Sequence, residues 1–284
     1  MGEMSVLAAM TAAGVVASGG LGLYVGQSAL VFRPARALRW TPAARGLTFD
    51  DVFLACADGV RVHGWWLPGK DPARAVLFLH GTTGNLSTEL EKVEFLASLG
   101  VAVLAVDYPG YGRSDGRPSA AGCVSAARAG WRFLAGQGYG PDAVIIYGWS
   151  LGTAPAAALA GRERPGGLVL HGAFTSLADV IAGRYWFLPP LRPFIRLRME
   201  CLDGVRRCAS PLLLLHAADD RLVPVVHARR LSEAAAGRRR LEIFPGPHDS
   251  ALWRVRPGVH EAWRELIDGR IERWPFAGTA ATRP

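Results

Sequence analysis

The sequence predicts an α/β protein: a mostly parallel, doubly wound sheet with a short lid-like insertion, preceded by an N-terminal transmembrane helix. Three observations predict it. Short apolar runs alternate with Ala/Leu-rich, helix-like stretches from residue 75 onward. A strand-like run enters a glycine-flanked serine and leaves it as a small-residue helix at 143–161. The first 32 residues carry a single charged side chain, Glu3.

The chain has 284 residues, and setting aside those 32 leaves 252 (284 − 32), the size of one α/β domain with a large core. A composition of 50% hydrophobic and 20% charged residues excludes a disordered chain. No internal repeat of 20–50 residues occurs. Four cysteines in a chain this long are not a disulfide framework. The net charge is +8, Lys70 and Lys92 are the only lysines, and arginines scatter from 33 to 283. That preference for Arg, with so much Ala and Gly, resembles the bias of a GC-rich bacterial genome. No aromatic-basic RNA-binding pattern, zinc spacing or helix-turn-helix accompanies the charge, so nucleic acid is not the expected partner. An anionic membrane surface suits it better.

From Ser5 to Phe32 the only ionisable side chain is Tyr24. At 1.5 Å per residue this run exceeds the roughly 20 residues needed to cross a hydrocarbon core. Pro34 ends it, and Tyr24, Phe32 and Trp40 suit an interface. A buried core helix and a cleaved signal peptide are the competing readings. Against cleavage, no Lys or Arg precedes the run and a signal's apolar region is shorter, although Gly26-Gln27-Ser28 is a tolerable cleavage site. Arg33, Arg36, Arg39 and Arg45 trail the run, which argues for a single-pass membrane protein with its bulk in the cytoplasm. A reducing compartment also suits Cys56, Cys123, Cys201 and Cys208; Cys201 and Cys208 could bridge only if the domain were exported.

In the globular part, Asp51–Ala55 and Val60–Leu67 read as two strands joined by the turn Asp58-Gly59. Ala75–Leu79, Val101–Val106, Ala143–Tyr147, Gly167–Leu170, Pro211–Leu215 and Leu241–Phe244 follow as apolar runs expected of strands buried on both faces. Helix-like stretches lie at 87–98, 120–136, 151–162, 226–236 and 258–268. Such alternation implies right-handed crossovers and ligands at the carboxyl ends of the strands. The segment 175–209 breaks the rhythm with Leu188-Pro189-Pro190 and reads as an excursion over that edge.

Gly148-Trp-Ser150-Leu-Gly152, with its strand before and helix after, has the context of a nucleophile elbow. Such a turn strains the serine backbone, exposes its hydroxyl above the sheet, and sets it at a helix N-terminus where developing negative charge is stabilised. A serine hydroxyl needs a base, and the base an orienting acid. In this context the chain order is Ser, acid, His. His248, in the loop after the last strand, is the candidate base. His63, His171 and His216 read as structural, and His227 and His260 as solvated on helices. Asp220 is the preferred acid, at the tip of Asp220-Arg-Leu-Val-Pro224, with Asp219 as the alternative that would otherwise cap the loop. Asp107 precedes the serine and reads as fixing the Gly-rich turn 107–112. The backbone N–H of Leu151 and of Thr82, in the loop His80-Gly-Thr82-Thr-Gly-Asn85, are the expected oxyanion donors. A phosphate-cradling reading of that loop lacks the Gly-Lys-Ser/Thr ending. No cofactor is implied, and no cluster has metal-ligand spacing.

Together, Gly148-Trp-Ser-Leu-Gly152, His80-Gly-x-x-Gly-Asn85, Asp107-Tyr-x-Gly-Tyr-Gly112, His216-x-x-x-Asp220-x-x-Val-Pro224 and His248 resemble the α/β-hydrolase superfamily. More narrowly, with the apolar N-terminus, Leu30-Val-Phe-Arg-Pro34 and Asp58-Gly59-Val-x-Val-x-Gly-Trp65, they are similar to its membrane-anchored Bem46-type branch. The chain departs from that branch in having His216-Ala217 for His-Gly, and Thr82-Thr83 where Asn-Ala is common. The resemblance implies an α/β-hydrolase fold, with residues 1–33 as membrane anchor and 34–284 as catalytic domain. It also implies hydrolysis of an ester or thioester, in a small-molecule or lipid acyl substrate, through an acyl-serine intermediate. A catalytically silent scaffold and an aminopeptidase of the same fold are the alternatives. Trp186, Phe187, Leu188, Leu191, Phe194 and Ile195, interleaved with Arg184, Arg192, Arg196 and Arg198, read either as a lid facing acyl chains and anionic headgroups or as ordinary packing. An imidazole base also implies activity that rises with pH as the ring loses its proton, near pH ~6.5 for an unperturbed histidine.

Overall fold

Continuous apolar runs fold into strands when helices cover both faces of the sheet they form. The structure, a computed structural model, describes residues 26–70, 73–184 and 195–271. Eight strands make one sheet: β1 Asp50–Ala55, β2 Arg61–Leu67, β3 Ala75–Leu79, β4 Ala102–Val106, β5 Val144–Trp149, β6 Gly167–His171, β7 Leu212–Ala217 and β8 Arg239–Phe244. Their spatial order is β1-β2-β4-β3-β5-β6-β7-β8. β2 runs antiparallel to both neighbours, and the remaining pairs are parallel.

Helices α1 Leu90–Ser98, α2 Ala120–Gly136 and α3 Thr153–Glu163 occupy the first three parallel crossovers. α4 Leu177–Arg184 and α5 Leu202–Arg207 lie between β6 and β7, α6 Val226–Ala234 between β7 and β8, and α7 Pro257–Ile267 follows β8. The side-chain alternation of a strand divides the core in two. Leu77, Leu79, Leu104, Val106 and Ile146 pack with Ala126, Ala127 and Leu134 of α2 and Ala156 and Leu159 of α3. Val76, Phe78, Val103, Ala105 and Tyr147 pack on the other face with Val93 and Leu96 of α1 and Val259, Trp263 and Leu266 of α7. Each fully buried Leu or Val contributes about 1.5–3 kcal/mol. All four cysteines are buried and unbridged.

The sequence places every strand of the eight-stranded sheet, though not the short pair Arg33–Pro34 and Thr83–Gly84, and several strands run further than their apolar stretches. β5 continues to Trp149, β6 to His171, β7 to Ala217, and β8 begins at Arg239. The reason is that ladder bonds follow the neighbouring strand: Arg239 pairs with Leu212 and Ile243 with His216 whatever their hydropathy. The excursion at 175–209 contains α4 and α5, and its ends close on each other through Leu177 N–H to Met199 O (2.9 Å) and Cys201 N–H to Thr175 O (3.0 Å). Most of the expected apolar-basic stretch, residues 186–194, lies outside the described residues; Arg184, Arg196 and Arg198 are exposed and Ile195 is half-buried. The expected N-terminal span falls mainly on residues 1–25, likewise outside them. Among the described residues no helix is long and apolar enough to cross a membrane. Residues 26–31 are helical, and Arg33–Pro34 then pair in parallel with Thr83–Gly84.

Candidate active site

β5 ends at Trp149, and the chain turns through one 3₁₀ turn, Ser150–Gly152, into α3. Ser150 has φ +49°, in the left-handed region that a residue with a Cβ adopts only under strain. The flanking glycines are required by contact. A Cβ on Gly148 would lie 2.5 Å from the Gly152 carbonyl oxygen, and one on Gly152 would overlap the carbonyl oxygen of Leu79. Strand, turn and helix are thus in backbone contact, and Ser150 alone at the bend presents its side chain outward, half-buried.

Three loops from separate parts of the chain converge on that hydroxyl. His248, in the loop after β8, places Nε2 2.9 Å from Ser150 Oγ. Its Nδ1 lies 2.5 Å from Asp220 Oδ2 in the loop after β7. This network assigns the Nδ1–H tautomer, with the carboxylate accepting from Nδ1–H and the hydroxyl donating to Nε2. Asp220 is itself anchored, its Oδ1 accepting from Leu222 N–H (2.9 Å) and Val223 N–H (2.7 Å). Asp219, the alternative acid, points elsewhere: its Oδ2 accepts from Gly246 N–H (3.0 Å) and braces the loop that carries His248. Trp149 stacks on the His248 ring at 4.9 Å between centroids. Beside both rings, Gly172 (φ +62°) leaves no room for a Cβ, which would sit 2.8 Å from His248 Cε1 and 3.2 Å from Trp149 Cζ3.

The loop after β3 runs beside the serine, so close that a Cβ on Gly81 would be 3.6 Å from Ser150 Cβ. The Gly81 carbonyl accepts from His80 Nδ1–H at 2.8 Å. In a trans peptide the N–H points opposite to the C=O, so the N–H of Thr82 faces away from His80. Leu151, the other expected donor, is buried at the start of the turn into α3.

The remaining histidines divide between expectation and correction. His171 and His216 are buried structural groups, His171 Nδ1 sharing a hydrogen bond with the Tyr147 hydroxyl (2.9 Å) and His216 Nε2 donating to Val223 O (2.8 Å). Burial holds the His171 ring well below the usual histidine range, with Lys92 adding to the effect. Burial also lowers His216. The expectation that His227 and His260 are solvated is wrong. His227 is buried, its Nδ1 accepting from the backbone N–H of Thr175 (3.3 Å) and paired with the Thr175 hydroxyl (2.9 Å). His260 is half-buried against the Phe95 ring, 5.2 Å between centroids. Helical spacing held the signal: His227 shares a face with Leu231, and His260 lies one turn from Trp263.

Asp107 is structural as expected, but its partners lie well beyond the Gly-rich turn. Fully buried, it stands between His63 Nδ1 (3.5 Å) and His80 Nε2 (3.2 Å) and accepts from Leu86 N–H (3.1 Å). His63 Nε2 continues the chain to Asp51 at 2.6 Å, and Arg113 pairs with Asp51 at 2.9 Å. Although burial opposes ionisation, the two histidines hold the Asp107 carboxyl below the usual carboxylate range. Sequence reading missed this assembly because Asp51, His63, His80 and Asp107 lie on four separate parts of the chain with no motif linking them.

A carbonyl carbon set near Ser150 Oγ would meet a hydroxyl and an imidazole oriented by a carboxylate, an arrangement able to support acyl transfer. A family model described as alpha/beta hydrolase fold matches residues 74–189. Among relatives, the Mycobacterium tuberculosis (strain H37Rv) protein Rv2307c, itself named as uncharacterized, is 37% identical over 229 residues, covering 78% of this chain and 75% of its own. This chain therefore shares a family with Rv2307c, and the matching model places it in the α/β-hydrolase superfamily. The alpha/beta hydrolase domain-containing protein WAV2 of Arabidopsis thaliana is 29% identical, covering 79% and 80% of the two chains. The membrane protein YNL320W of Saccharomyces cerevisiae is 28% identical, covering 80% and 82%. Among solved structures, the Pyrococcus furiosus esterase Pf2001 superposes with a TM-score of 0.65 at 24% identity over 85% of this chain and 99% of that one. That superposition shows a shared fold.

Proposed function

We propose that the protein is a serine hydrolase that cleaves carboxylic ester or thioester bonds through an acyl-serine intermediate. One observation carries this reading: a serine held at φ +49°, 2.9 Å from an imidazole whose other nitrogen is 2.5 Å from a buried carboxylate. Ser150 Oγ attacks the acyl carbonyl while His248 Nε2 takes its proton. Asp220 keeps the ring oriented and stabilises the imidazolium. The tetrahedral oxyanion is received by the N–H groups of Thr82 and Leu151. On collapse, His248 returns the proton to the departing alcohol or thiol. Water, deprotonated by the same imidazole, then releases the acid and restores Ser150.

The intact geometry favours turnover over a silent scaffold, since an idle site has no reason to retain a strained serine costing about 1–3 kcal/mol. The acyl substrate is a small molecule or lipid. Residues 1–33 are proposed as a membrane anchor of the Bem46-type branch with the catalytic domain in the cytoplasm. The uncharged N-terminal run supports this, as does the yeast relative's name as a membrane protein. A fluorophosphonate probe is expected to label the full-length protein at Ser150 and not the Ser150→Ala variant. Folded protein that resists the probe overturns the proposal. A series of p-nitrophenyl esters of increasing acyl length then reads the substrate class.

A further inference from the structure

The loop that carries Thr82 is short of support from its own domain on one side. His80 and Asp107 hold its inner end, and the Tyr111 hydroxyl donates to Thr82 O at 2.7 Å. Its outer flank lies against residues 31–39, the stretch that emerges from the N-terminal apolar run. Arg33 N–H donates to Thr82 O (3.1 Å) and Ala35 N–H to Gly84 O (2.8 Å). The Thr82 hydroxyl donates to Val31 O. Asn85, buried, gives both hydrogens of its amide to this stretch, to Ala35 O (2.9 Å) and Ala37 O (2.8 Å). Arg39 N–H closes the contact on Ser87 Oγ at 3.1 Å.

Just upstream, the same segment also meets the excursion after β6. Gln27 Oε1 accepts from Arg196 N–H (2.8 Å) and Leu197 N–H (3.4 Å), the residues returning from the excursion after β6. Residues 27–39 therefore bridge two loops that no strand joins, and one of the two supplies the amide assigned to the oxyanion.

We propose that residues 27–39 form a positioning strap for the active site: the N-terminal segment, besides any anchoring role, holds the oxyanion loop in register with Ser150. The inference rests on Thr82 N–H acting as an oxyanion donor. The physical case is one of entropy. A loop with glycines at 81 and 84 samples many backbone states unless packing and hydrogen bonds remove them. An oxyanion donor contributes only when preorganised to within a fraction of an ångström. Phe32 is buried in the core and Val31 and Leu38 pack against it, whereas Arg33, Pro34 and Ala35 are exposed, so the test cuts a single backbone hydrogen bond at Ala35 and leaves those core contacts in place.

The test uses the full-length protein in detergent. Ala35→Pro deletes the N–H that binds Gly84 O, at a position where the preceding Pro34 is already extended. Ala35→Ser keeps that N–H and serves as control. For Ala35→Pro, kcat on p-nitrophenyl butyrate is expected to fall about 10–100-fold with KM within about twofold, as for a catalytic group displaced by about an ångström. Deuterium exchange in a peptide covering residues 81–87 should accelerate while strands β5 and β6 stay protected. Ala35→Ser should match the unmodified protein in both. Should Ala35→Pro fail to fold, Thr82→Val, which keeps the Thr82 N–H and removes only the hydroxyl that donates to Val31 O, cuts the strap from the loop side and is read identically. Unchanged kcat and unchanged exchange in a folded strap variant overturn the strap. An unmodified protein that neither turns over nor takes a fluorophosphonate overturns the hydrolase reading instead, and the exchange comparison still decides the strap.

Discussion

Two histidine–aspartate assemblies stand near the carboxyl edge of the same sheet. On one half, His63, Asp107 and His80 join β2 and the loops after β4 and β3. On the other, His248 and Asp220 sit on the loops after β8 and β7 and face Ser150. The residue types are the same and both carboxylates are buried. The difference lies in the second ring nitrogen. In the first assembly His63 spends it on Asp51 and His80 on the Gly81 carbonyl, with every ring fully buried. In the second, Nε2 of a partly exposed ring faces a hydroxyl that a substrate can reach. A carboxylate–imidazole pair is therefore scaffolding when both nitrogens are consumed internally. On the proposed reading, it serves as a base when one nitrogen is left to face a hydroxyl.

The sharpest test removes that nucleophile. Ser150→Ala is expected to reduce kcat by about 10⁶, to the background of binding and oxyanion contacts, with the melting temperature unchanged or raised. A variant retaining more than about 1% of kcat would erase the distinction between the two assemblies.

Replacing each carboxylate by its amide comes next. Asp220→Asn should lower kcat about 10³–10⁴-fold by disturbing the His248 tautomer. Asp107→Asn should instead cost about 3–5 kcal/mol of stability, by leaving a buried ion pair without one partner, and should change kcat per folded molecule less than about tenfold. Urea unfolding and steady-state kinetics on both variants decide it, and the comparison fails if the two profiles are exchanged.

The buried neutral rings imply a pH signature on stability. With His171 held well below its usual range, the unfolded chain binds more protons between that low value and about pH 6.5. Stability is therefore complete above that pH and falls as the solution is acidified through the window. Asp107, with its carboxyl lowered, acts further down: its contribution is present above about pH 3.9 and disappears as pH drops through the depressed value. Urea midpoints for His171→Leu between pH 7.5 and 5 should show a shallower slope than the unmodified protein. An identical slope would assign the acid sensitivity elsewhere.

The smallest effect separates neighbouring aspartates. Asp219→Ala removes the acceptor for Gly246 N–H and should cost about 0.5–1.5 kcal/mol, with kcat within about threefold. A loss approaching that of Asp220→Asn would make the loop brace part of the base.

The sheet, its helices and the elbow were legible because each depends on local pattern: uninterrupted apolar runs, helical stretches of Ala and Leu, and Gly148 and Gly152 around Ser150. The Ser, acid, His order along the chain also narrowed the candidates to Ser150, His248 and one of Asp220 and Asp219, with Asp220 preferred, since the crossovers bring successive strand ends to one edge. Tertiary structure alone decided which aspartate turned toward His248, that His227 and His260 were packed rather than solvated, and that Asp107 tied two histidines together. It also decided that residues 27–39 lie along the oxyanion loop. Periodicity reports which face of an element is apolar, whereas these outcomes depend on which distant atoms arrive beside a polar group, and that is set only when the sheet closes.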